Sequence, residues 1–154
     1  MSRRTAYTRA MSLWSGLERR FMRFHEALYV RTDGRVGHRL IGVPTLLLRT
    51  KGRRTGLPRT AALVYARDGD GYVLVASNHG YDRPPGWFVN LEAEARVSVQ
   101  VGRVRTDGIA AVVSAGDPDY GRLGKLVNRT NHDRYDGYQS KTARPIPLVV
   151  IRPA

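Results

Sequence analysis

The chain has 154 residues, of which 42% are hydrophobic and 25% are charged. This composition is typical of one globular domain and too apolar for a disordered protein. The absence of cysteine excludes disulfide scaffolds, thiolate metal sites and cysteine nucleophiles. No apolar run approaches the roughly 20 residues that span a bilayer, and the N-terminus lacks a signal-peptide pattern. We therefore expect one cytoplasmic domain over residues 1–154, with peripheral contact at the inner face of the cell membrane left open.

The net charge of +13 is distributed unevenly along the chain. Residues 1–67 carry 15 Lys/Arg against 3 Asp/Glu, or +12, whereas residues 68–154 carry 11 against 10, or +1. Because 23 of the 26 cations are arginine, a GC-rich genome would explain the excess of arginine but not the asymmetry. A one-sided basic field indicates a polyanionic partner.

Apolar residues recur every three or four positions near the N-terminus, which predicts an amphipathic helix that makes up most of residues 1–35. The apolar stripe consists of Met11, Trp14, Leu17, Phe21, Phe24 and Leu28. Arginines at positions 19, 20 and 23 fall largely off this stripe. We expect the stripe to pack on the core of the domain. The alternative, a basic amphipathic helix lying in a membrane interface, stays open.

From residue 43 onward the pattern changes to strands separated by turns. Strand-like segments occupy residues 43–50, 60–67, 71–77, 96–102, 103–115 and 146–153. The Asp68-Gly69-Asp70-Gly71 sequence predicts a hairpin turn, and Asp107-Gly108 suggests a bulge. Short helices are predicted within residues 83–95 and from Asp117-Pro118 to about Asn131. This order predicts an α+β fold of about six mostly antiparallel strands with flanking helices, closing into a small barrel.

The segment 46–60, LLLRTKGRRTGLPRT, is rich in cations and contains no acidic residue. Gly52 and Gly56 would let backbone N–H groups approach an anion, and arginine forks suit phosphate or carboxylate. The order of residues is not that of a Walker A loop. The five cations are Arg49, Lys51, Arg53, Arg54 and Arg59.

Other classes of function find little support in the chain. The sequence contains no recognisable helix-turn-helix, zinc-finger or RNA-binding strand motif, so a nucleic-acid partner is not expected. The four histidines are scattered without metal-ligand spacing, so no metal site is expected, and no GxSxG nucleophile motif occurs. A chain without its own nucleophile, metal or acid–base pair usually relies on a cofactor for its chemistry.

Four ordered blocks of sequence resemble the deazaflavin-dependent nitroreductase family. They are TKGRRTGLPRTAALVY (50–65), VASNHG (75–80), PGWFVNLEAEARVSVQVG (85–102) and YDGYQSKTARPIPLVVIRP (135–153). The resemblance runs from about residue 24 to the C-terminus. It implies a split β-barrel that binds coenzyme F420, an 8-hydroxy-5-deazaflavin carrying a phospholactyl group and an oligoglutamate tail. The anion expected at the basic loop would then be the phosphate of this coenzyme.

The resemblance implies that four segments hold the coenzyme. The phosphate-binding loop supplies Arg53, Arg54, Thr55 and Arg59. The strand after the loop lines the cofactor with Thr60, Ala61, Ala62, Leu63 and Val64. A strand end whose backbone faces the ring consists of Val75, Ala76, Ser77 and Asn78. The segment covering the ring consists of Gly86, Trp87, Phe88, Val89 and Asn90.

The late tyrosines resemble the substrate end of such a site. Tyr135 matches a residue that contacts both coenzyme and substrate, and Tyr138 and Ser77 match the catalytic positions. The substrate-facing set is Val64, His132, Tyr135 and Tyr138. For each tyrosine, simple packing of a C-terminal helix is the alternative. This chain departs from the family at His132, where a tyrosine is frequent, and at Asn78, where a lysine is common.

The resemblance implies a reductase that transfers a hydride from reduced deazaflavin to a small electron-poor acceptor. Quinones, nitroaromatics and activated unsaturated compounds are the candidate acceptors. Two alternatives stay open. The barrel could bind FMN or haem, as related split barrels do, or it could carry the deazaflavin without turnover.

Overall fold

The computed structural model describes residues 42–154 throughout and, before them, residues 16–17, 19–21, 23–33, 35 and 39–40. Residues 16–17 and 19–21 are helical, as is the longer stretch 23–31, here termed α1. The strands are β1 (Arg39–Leu40), β2 (Val43–Lys51), β3 (Pro58–Val64), β4 (Ala66–Asp68), β5 (Gly71–Val75), β6 (Arg96–Val101), β7 (Val104–Val113) and β8 (Leu148–Pro153). The other helices are α2 (Gly86–Ala93), α3 (Tyr120–Thr130) and α4 (Arg134–Gln139).

The strands form one antiparallel sheet in the order β1-β2-β6-β7-β8-β5-β4, with β3 also paired to β2. One end of this sheet is β4, and at the other end β3 pairs with residues 45–51 of β2, whereas the short β1 pairs only with Val43 and Pro44. Tyr65 alone separates β3 from β4 in the chain. The Tyr65 ring packs edge-on against Tyr72 of β5, with ring centroids 5.6 Å apart. The sheet thus curls until one bent strand joins its ends, which confirms the split-barrel expectation.

The interior of the curled sheet is apolar and is closed by α2. Leu48 of β2, Leu74 of β5, Val99 of β6 and Val149 of β8 are at most 1% exposed and belong to one cluster. Phe88 and Leu91 of α2 belong to the same cluster. Burial of these side chains holds α2 against the strands, because each large apolar side chain contributes roughly 1.5–3 kcal/mol.

The opposite surface of strands β4, β5 and β8 is covered by α3 through Leu123 and Val127. The β4–β5 hairpin forms as predicted, with Asp68 paired to Gly71 and Gly69 in the left-handed region at φ 61°. Arg122 of α3 and Arg152 of β8 both bind the Asp68 carboxylate, at 2.7 and 2.9 Å. These ion pairs connect the hairpin to a helix and to a neighbouring strand.

Helix α1 packs through a different face from the one predicted. Tyr29 is fully buried, and its hydroxyl accepts a hydrogen bond from the Gly102 N–H at 2.8 Å. Leu17, Phe21 and Phe24 of the predicted stripe are instead 66%, 49% and 67% exposed. The expectation that these three pack on the core is wrong, while Met11 and Trp14 lie outside the described residues.

Two local predictions in the strands also need correction. The predicted strand 60–67 is divided at Tyr65 into β3 and β4. No bulge occurs at Asp107-Gly108, because the pairing of β7 with both β6 and β8 is continuous there. Gly108 instead allows close approach of β8: a Cβ atom at this position would lie 2.7 Å from Ile151 Cγ2 and 2.8 Å from the Arg152 carbonyl oxygen.

Candidate cofactor and acceptor site

The basic loop between β2 and β3, residues 52–57, is a tight turn closed by its own backbone. The Gly52 N–H donates to the Leu57 carbonyl at 2.8 Å, and the Gly56 N–H donates to the Gly52 carbonyl at 2.7 Å. The amides of these two glycines are therefore used within the turn itself, while the expectation that the glycines let backbone N–H groups of the loop approach an anion stays a prediction. The glycines also serve the turn, since Gly56 has φ 70° and a Cβ atom on Gly52 would meet Thr55 Oγ1 at 2.9 Å.

The cations of this loop and of the strand ends beside it differ in their contacts. Lys51, Arg53, Arg54 and Arg59 are exposed, and none forms a salt bridge with a carboxylate in the described part of the chain. Arg49 is directed elsewhere, because its guanidinium donates to Gln100 Oε1 on β6 at 2.8 Å. Four cations without carboxylate partners at one end of the sheet form a surface that favours an anionic ligand.

Asn90 of α2 fixes this loop to the barrel. Its side-chain carbonyl accepts a hydrogen bond from the Arg53 N–H at 3.2 Å, and its amide donates to Thr50 Oγ1 at 3.2 Å. Asn90 and Thr50 are both buried. Asn90 was predicted to bind the cofactor, but these two hydrogen bonds of its side chain position the loop.

Strand β3 divides the predicted lining residues between two faces of the sheet. Leu63 packs against the barrel interior, whereas Ala62 is buried with Tyr29 and Leu47 on the α1 side. Side chains alternate along a strand, so Ala61 shares the face of Leu63, and Thr60 and Val64 share the face of Ala62. A ligand on one face of the sheet therefore cannot contact all five side chains. The backbone edge of β3 that faces away from β2 has no strand partner among the described residues.

The segment predicted to cover the ring is also divided. Phe88 is 6% exposed and is part of the barrel core, so its side chain is a packing residue. Trp87 is only partly buried and lies edge-on to Phe88, with ring centroids 6.1 Å apart. Gly86 is exposed and Val89 is half-buried. The accessible apolar surface of α2 is therefore provided by Trp87 and Val89.

The end of β5 leads directly into a short turn that contains Ser77. Ala76 is fully buried in the barrel core, and its N–H donates to the Pro147 carbonyl at 3.0 Å. Ser77 is 8% exposed, and its hydroxyl makes no hydrogen bond to a side chain or backbone group that the structure describes. A hydroxyl group in this state can donate to a bound molecule, which is the role predicted for Ser77.

Residues with a left-handed backbone conformation occur both in the turn after Ser77 and in the turn between α3 and α4. Asn78 and His79 have φ 45° and 57° after Ser77, and His132 and Asp133 have φ 53° and 58° between α3 and α4. These four are among five non-glycine residues with positive φ in the described part of the chain. Residues held in such conformations are strained by about 1–3 kcal/mol each and cluster at functional sites.

Aromatic rings connect these two turns. The Tyr138 ring lies edge-on to His79, with centroids 5.7 Å apart, and edge-on to Tyr135 at 6.0 Å. Lys141 Nζ lies 5.6 Å from the centre of the Tyr138 ring. The turn that follows Ser77 and the helix that carries Tyr138 are therefore in contact through His79.

Tyr135 and His132 occupy different environments from Tyr138. Tyr135 packs with Leu123 and Val127 beneath α3, and burial, followed by the charge of Tyr138, raises the pKa of its hydroxyl. A hydrogen bond with Asn131 opposes this rise. These features agree with the packing alternative for Tyr135, whereas His132 is exposed.

Two residues of this region were not predicted to belong to the site. His79 has no sequence signal beyond its place in the VASNHG block, because Asn-His is not a typical left-handed pair. Arg144 contacts the carbonyl groups of Ala76 and Ser77, which precede it by 68 and 67 residues. Contacts at such separations leave no local pattern in a sequence.

A separate cavity of about 270 Å³ lies on β6 and β7 and, of the cations of the basic segment, involves only Arg49. It is lined by Arg49, Arg96, Val97, Ser98, Asp107, Gly108 and Ala154. Burial, followed by the charge of Arg105, lowers the pKa of Arg49. Asp107 offsets part of the positive charge, so this cavity favours an anion less strongly than the basic loop does.

Comparison with known proteins identifies relatives with a named activity. Residues 21–153 match the model of the F420H(2)-dependent quinone reductase family. An F420H(2)-dependent quinone reductase of Mycobacterium tuberculosis strain H37Rv is 51% identical over 131 residues, which cover 84% of this chain and 88% of that protein.

Solved structures agree with this relationship. An F420-H2 dependent reductase, FDR-A, superposes with a TM-score of 0.64 at 30% identity, covering 71% of this chain and 94% of its own. A structure described as a domain-swapped dimer superposes with a TM-score of 0.66 at 26% identity, covering 88% and 99%. The match to the family model extends over most of the chain, and the fold is the same. The chain belongs to the F420H(2)-dependent quinone reductase family.

Proposed function

We propose that this protein is a reductase that uses reduced coenzyme F420 to transfer a hydride to a small electron-poor acceptor, with quinones as the foremost class. The observation that carries the proposal is the group of exposed cations on the loop 52–57 and its flanks, without carboxylate partners among the described residues. The family relationship and the Ser77–Tyr138 region support the same function.

The described residues fit the anionic part of the coenzyme. Arg53, Arg54 and Arg59 offer planar guanidinium groups, which bind phosphate through paired hydrogen bonds. Asn90 holds the loop backbone at a defined place, so these groups are presented from a fixed base. Trp87 provides a partly buried aromatic surface of α2 for an apolar ring. When bound, the reduced coenzyme supplies the hydride.

The acceptor is proposed to lie at the other end of the site, beside Ser77 and Tyr138. Reduction of a quinone by a hydride places negative charge on an oxygen, which then takes a proton. A hydroxyl group that donates a hydrogen bond to this oxygen stabilises the developing charge. We assign this role to Tyr138 or Ser77, with His79 and His132 shaping the surrounding surface.

The exposed apolar and basic side chains near the N-terminus support a proposal about where in the cell the protein acts. Leu17, Phe21 and Phe24 are exposed, and Arg19, Arg20 and Arg23 are exposed beside them. We propose peripheral contact of this helix with an anionic membrane surface, where a quinone would dissolve. None of the described helices is long and apolar enough to cross a membrane.

Sedimentation with vesicles tests the membrane proposal. The protein should bind vesicles that contain anionic lipid, and binding should weaken as salt rises. Phe24→Ser should reduce binding, whereas Val104→Ser, at another exposed apolar position, should not. Equal sedimentation of the two variants would contradict the proposal.

An assay of turnover separates the proposed reductase from the two alternatives. Oxidation of reduced coenzyme F420 should accelerate when menadione and protein are both present. A carrier would bind the coenzyme without accelerating its oxidation by menadione or by a nitroaromatic. An FMN or haem protein would bind those groups in preference.

A further inference from the structure

The segment 140–147, which joins α4 to β8, is folded around the side chain of Gln139. The Gln139 amide donates to the carbonyl groups of Thr142 at 3.3 Å and Arg144 at 2.9 Å. Its own carbonyl accepts a hydrogen bond from the Ile146 N–H at 2.9 Å. The end of α4 therefore sets the path of the segment that carries Arg144.

The Arg144 guanidinium is bound by backbone carbonyl groups. It donates to the Ala76 carbonyl at 3.2 Å, to the Ser77 carbonyl at 3.1 Å, and to the Tyr81 carbonyl at 3.1 and 3.3 Å. No salt bridge links Arg144 to a carboxylate in the part of the chain that the structure describes. The planar fork of an arginine can bridge several acceptors at once, which a lysine cannot do.

The three carbonyl groups belong to the two ends of the turn Asn78–Gly80. Ser77 precedes this turn and Tyr81 follows it, while the turn residues have φ 45°, 57° and 81°. Such a conformation persists only when its surroundings hold it in place. Arg144 spans the turn from one end to the other, so its hydrogen bonds oppose relaxation of the strained backbone.

The same turn makes direct contact with α4. A Cβ atom on Gly80 would lie 2.5 Å from the Tyr138 carbonyl oxygen and 3.0 Å from Lys141 Cβ. The His79 ring is edge-on to Tyr138. Any relaxation of the turn would therefore change the placement of Ser77 and His79 relative to Tyr138.

We propose that Arg144 is a positioning residue for the reductase site, which holds the left-handed turn Asn78–Gly80 against α4 and thereby sets the placement of Ser77 and His79 relative to Tyr138. The expected effect of Arg144 on turnover rests on the proposed function, because it requires the reductase activity. The role is one of geometry: the guanidinium acts through backbone carbonyl groups and does not itself contact the acceptor.

Hydrogen exchange measured by mass spectrometry tests the geometric part without coenzyme or substrate. In Arg144→Met, peptides covering residues 76–83 should exchange faster, while peptides from β6 and β7 should keep their protection. Arg144→Lys keeps the positive charge but not the planar fork of the guanidinium. The loss of protection in this variant should therefore be more than half of the loss in Arg144→Met. Arg122→Met, which removes an exposed arginine bound to Asp68, is the matched control and should leave residues 76–83 unchanged.

Kinetics test the functional part. With saturating coenzyme and menadione, the kcat of Arg144→Met should fall about 10–100-fold, while the Kd for oxidised coenzyme rises by a much smaller factor. Arg144→Lys should recover only a minor part of kcat. If Lys restored kcat fully, the charge and not the fork would matter, and the proposal would be overturned.

Other outcomes are equally decisive. Unchanged exchange of residues 76–83 in Arg144→Met would refute the positioning role. A loss of coenzyme affinity as large as the loss of kcat would show that Arg144 acts on coenzyme binding and not on the acceptor end, and would overturn the proposal. If the Met variant does not fold, exchange and kcat of Arg144→Lys decide, and wild-type values for both would overturn the proposal. Failure of the wild-type protein to bind the coenzyme would refute the proposed function, while the exchange result would stand by itself.

Discussion

The Asn90 side chain and the Arg53 backbone are joined by a hydrogen bond of 3.2 Å, which connects the helix under the site to the basic loop. Asn90 also donates to Thr50 Oγ1, and Thr50 is only 4% exposed. The position of the loop cations therefore depends on one buried amide that is 37 residues away in sequence from Arg53.

Replacement of Asn90 by alanine should weaken both folding and coenzyme binding. Loss of the amide leaves the buried Thr50 hydroxyl without this partner, which should lower the free energy of unfolding by about 1–3 kcal/mol. The Kd for coenzyme F420 should rise because the loop is no longer fixed. Chemical denaturation and fluorescence titration measure the two effects. Asn128→Ala, which removes an amide bridging α3 and α4, should leave this Kd unchanged, and a Kd effect of equal size there would refute the role of Asn90.

The loop arginines should dominate coenzyme affinity. Arg54→Ala or Arg59→Ala should weaken binding by roughly 1.5–3 kcal/mol if each makes a charge-assisted hydrogen bond. Arg23→Ala removes an exposed arginine of α1 and should have a much smaller effect. Titration at two salt concentrations provides the measurement. Small and equal losses in all three variants would indicate diffuse electrostatic attraction and would count against a defined phosphate site.

Removal of the Tyr138 hydroxyl should affect turnover more than binding. Tyr138→Phe keeps the ring contacts with His79 and Tyr135, so coenzyme affinity should stay nearly constant. A hydrogen bond made mainly in the transition state should appear as a drop of about 10–100-fold in kcat. Tyr120→Phe is the control, since its hydroxyl donates to the Ile146 carbonyl and its loss should lower stability alone. Equal kcat values in Tyr138→Phe and wild type would leave Tyr138 as a packing residue.

The ion pairs of Asp68 predict a pH dependence of stability. Hydrogen bonds from Arg122 and then Arg152 hold the pKa of Asp68 below its ordinary value of 3.8. A lowered pKa in the folded state stabilises the protein above the unfolded-state pKa, and this contribution is lost as pH falls through the folded-state value. Asp68→Asn should therefore destabilise the protein at pH 7 and flatten the acid side of its stability profile. Asp70→Asn, at a carboxylate that is 75% exposed, should change the profile much less, and a reversed order would refute this assignment.

The strands were predictable because their signals are local. Alternation of apolar residues marks β6, a continuous apolar run marks β2 and β8, and Gly69 adopts the positive φ that a two-residue hairpin turn requires. The division at Tyr65 was not predictable, since it depends on pairing of β3 and β4 with opposite ends of the sheet. For α1, periodicity identified an apolar stripe but not the surface that covers it. Phe24 is exposed while Tyr29 is buried, because contacts with Thr45 and Gly102 select the packed face.

The site was predictable to the extent that its residues are contiguous. The loop at Arg53–Arg54 and the strand end at Ser77 lie in blocks of sequence that could be matched directly. Which side chains of those blocks are accessible could not be inferred. Phe88 and Ala76 are needed for the core, and this requirement appears only once the sheet has curled around α2.

The preference of this protein for coenzyme F420 is tested by a comparative titration of the purified protein with oxidised coenzyme F420, FMN, FAD and haem. Tryptophan fluorescence reports binding, because Trp87 is partly buried on α2 at the proposed ring site. We expect the tightest binding for coenzyme F420, with loss of that preference in Arg54→Ala. Tighter binding of FMN or haem under the same conditions would rule out coenzyme F420 as the preferred cofactor.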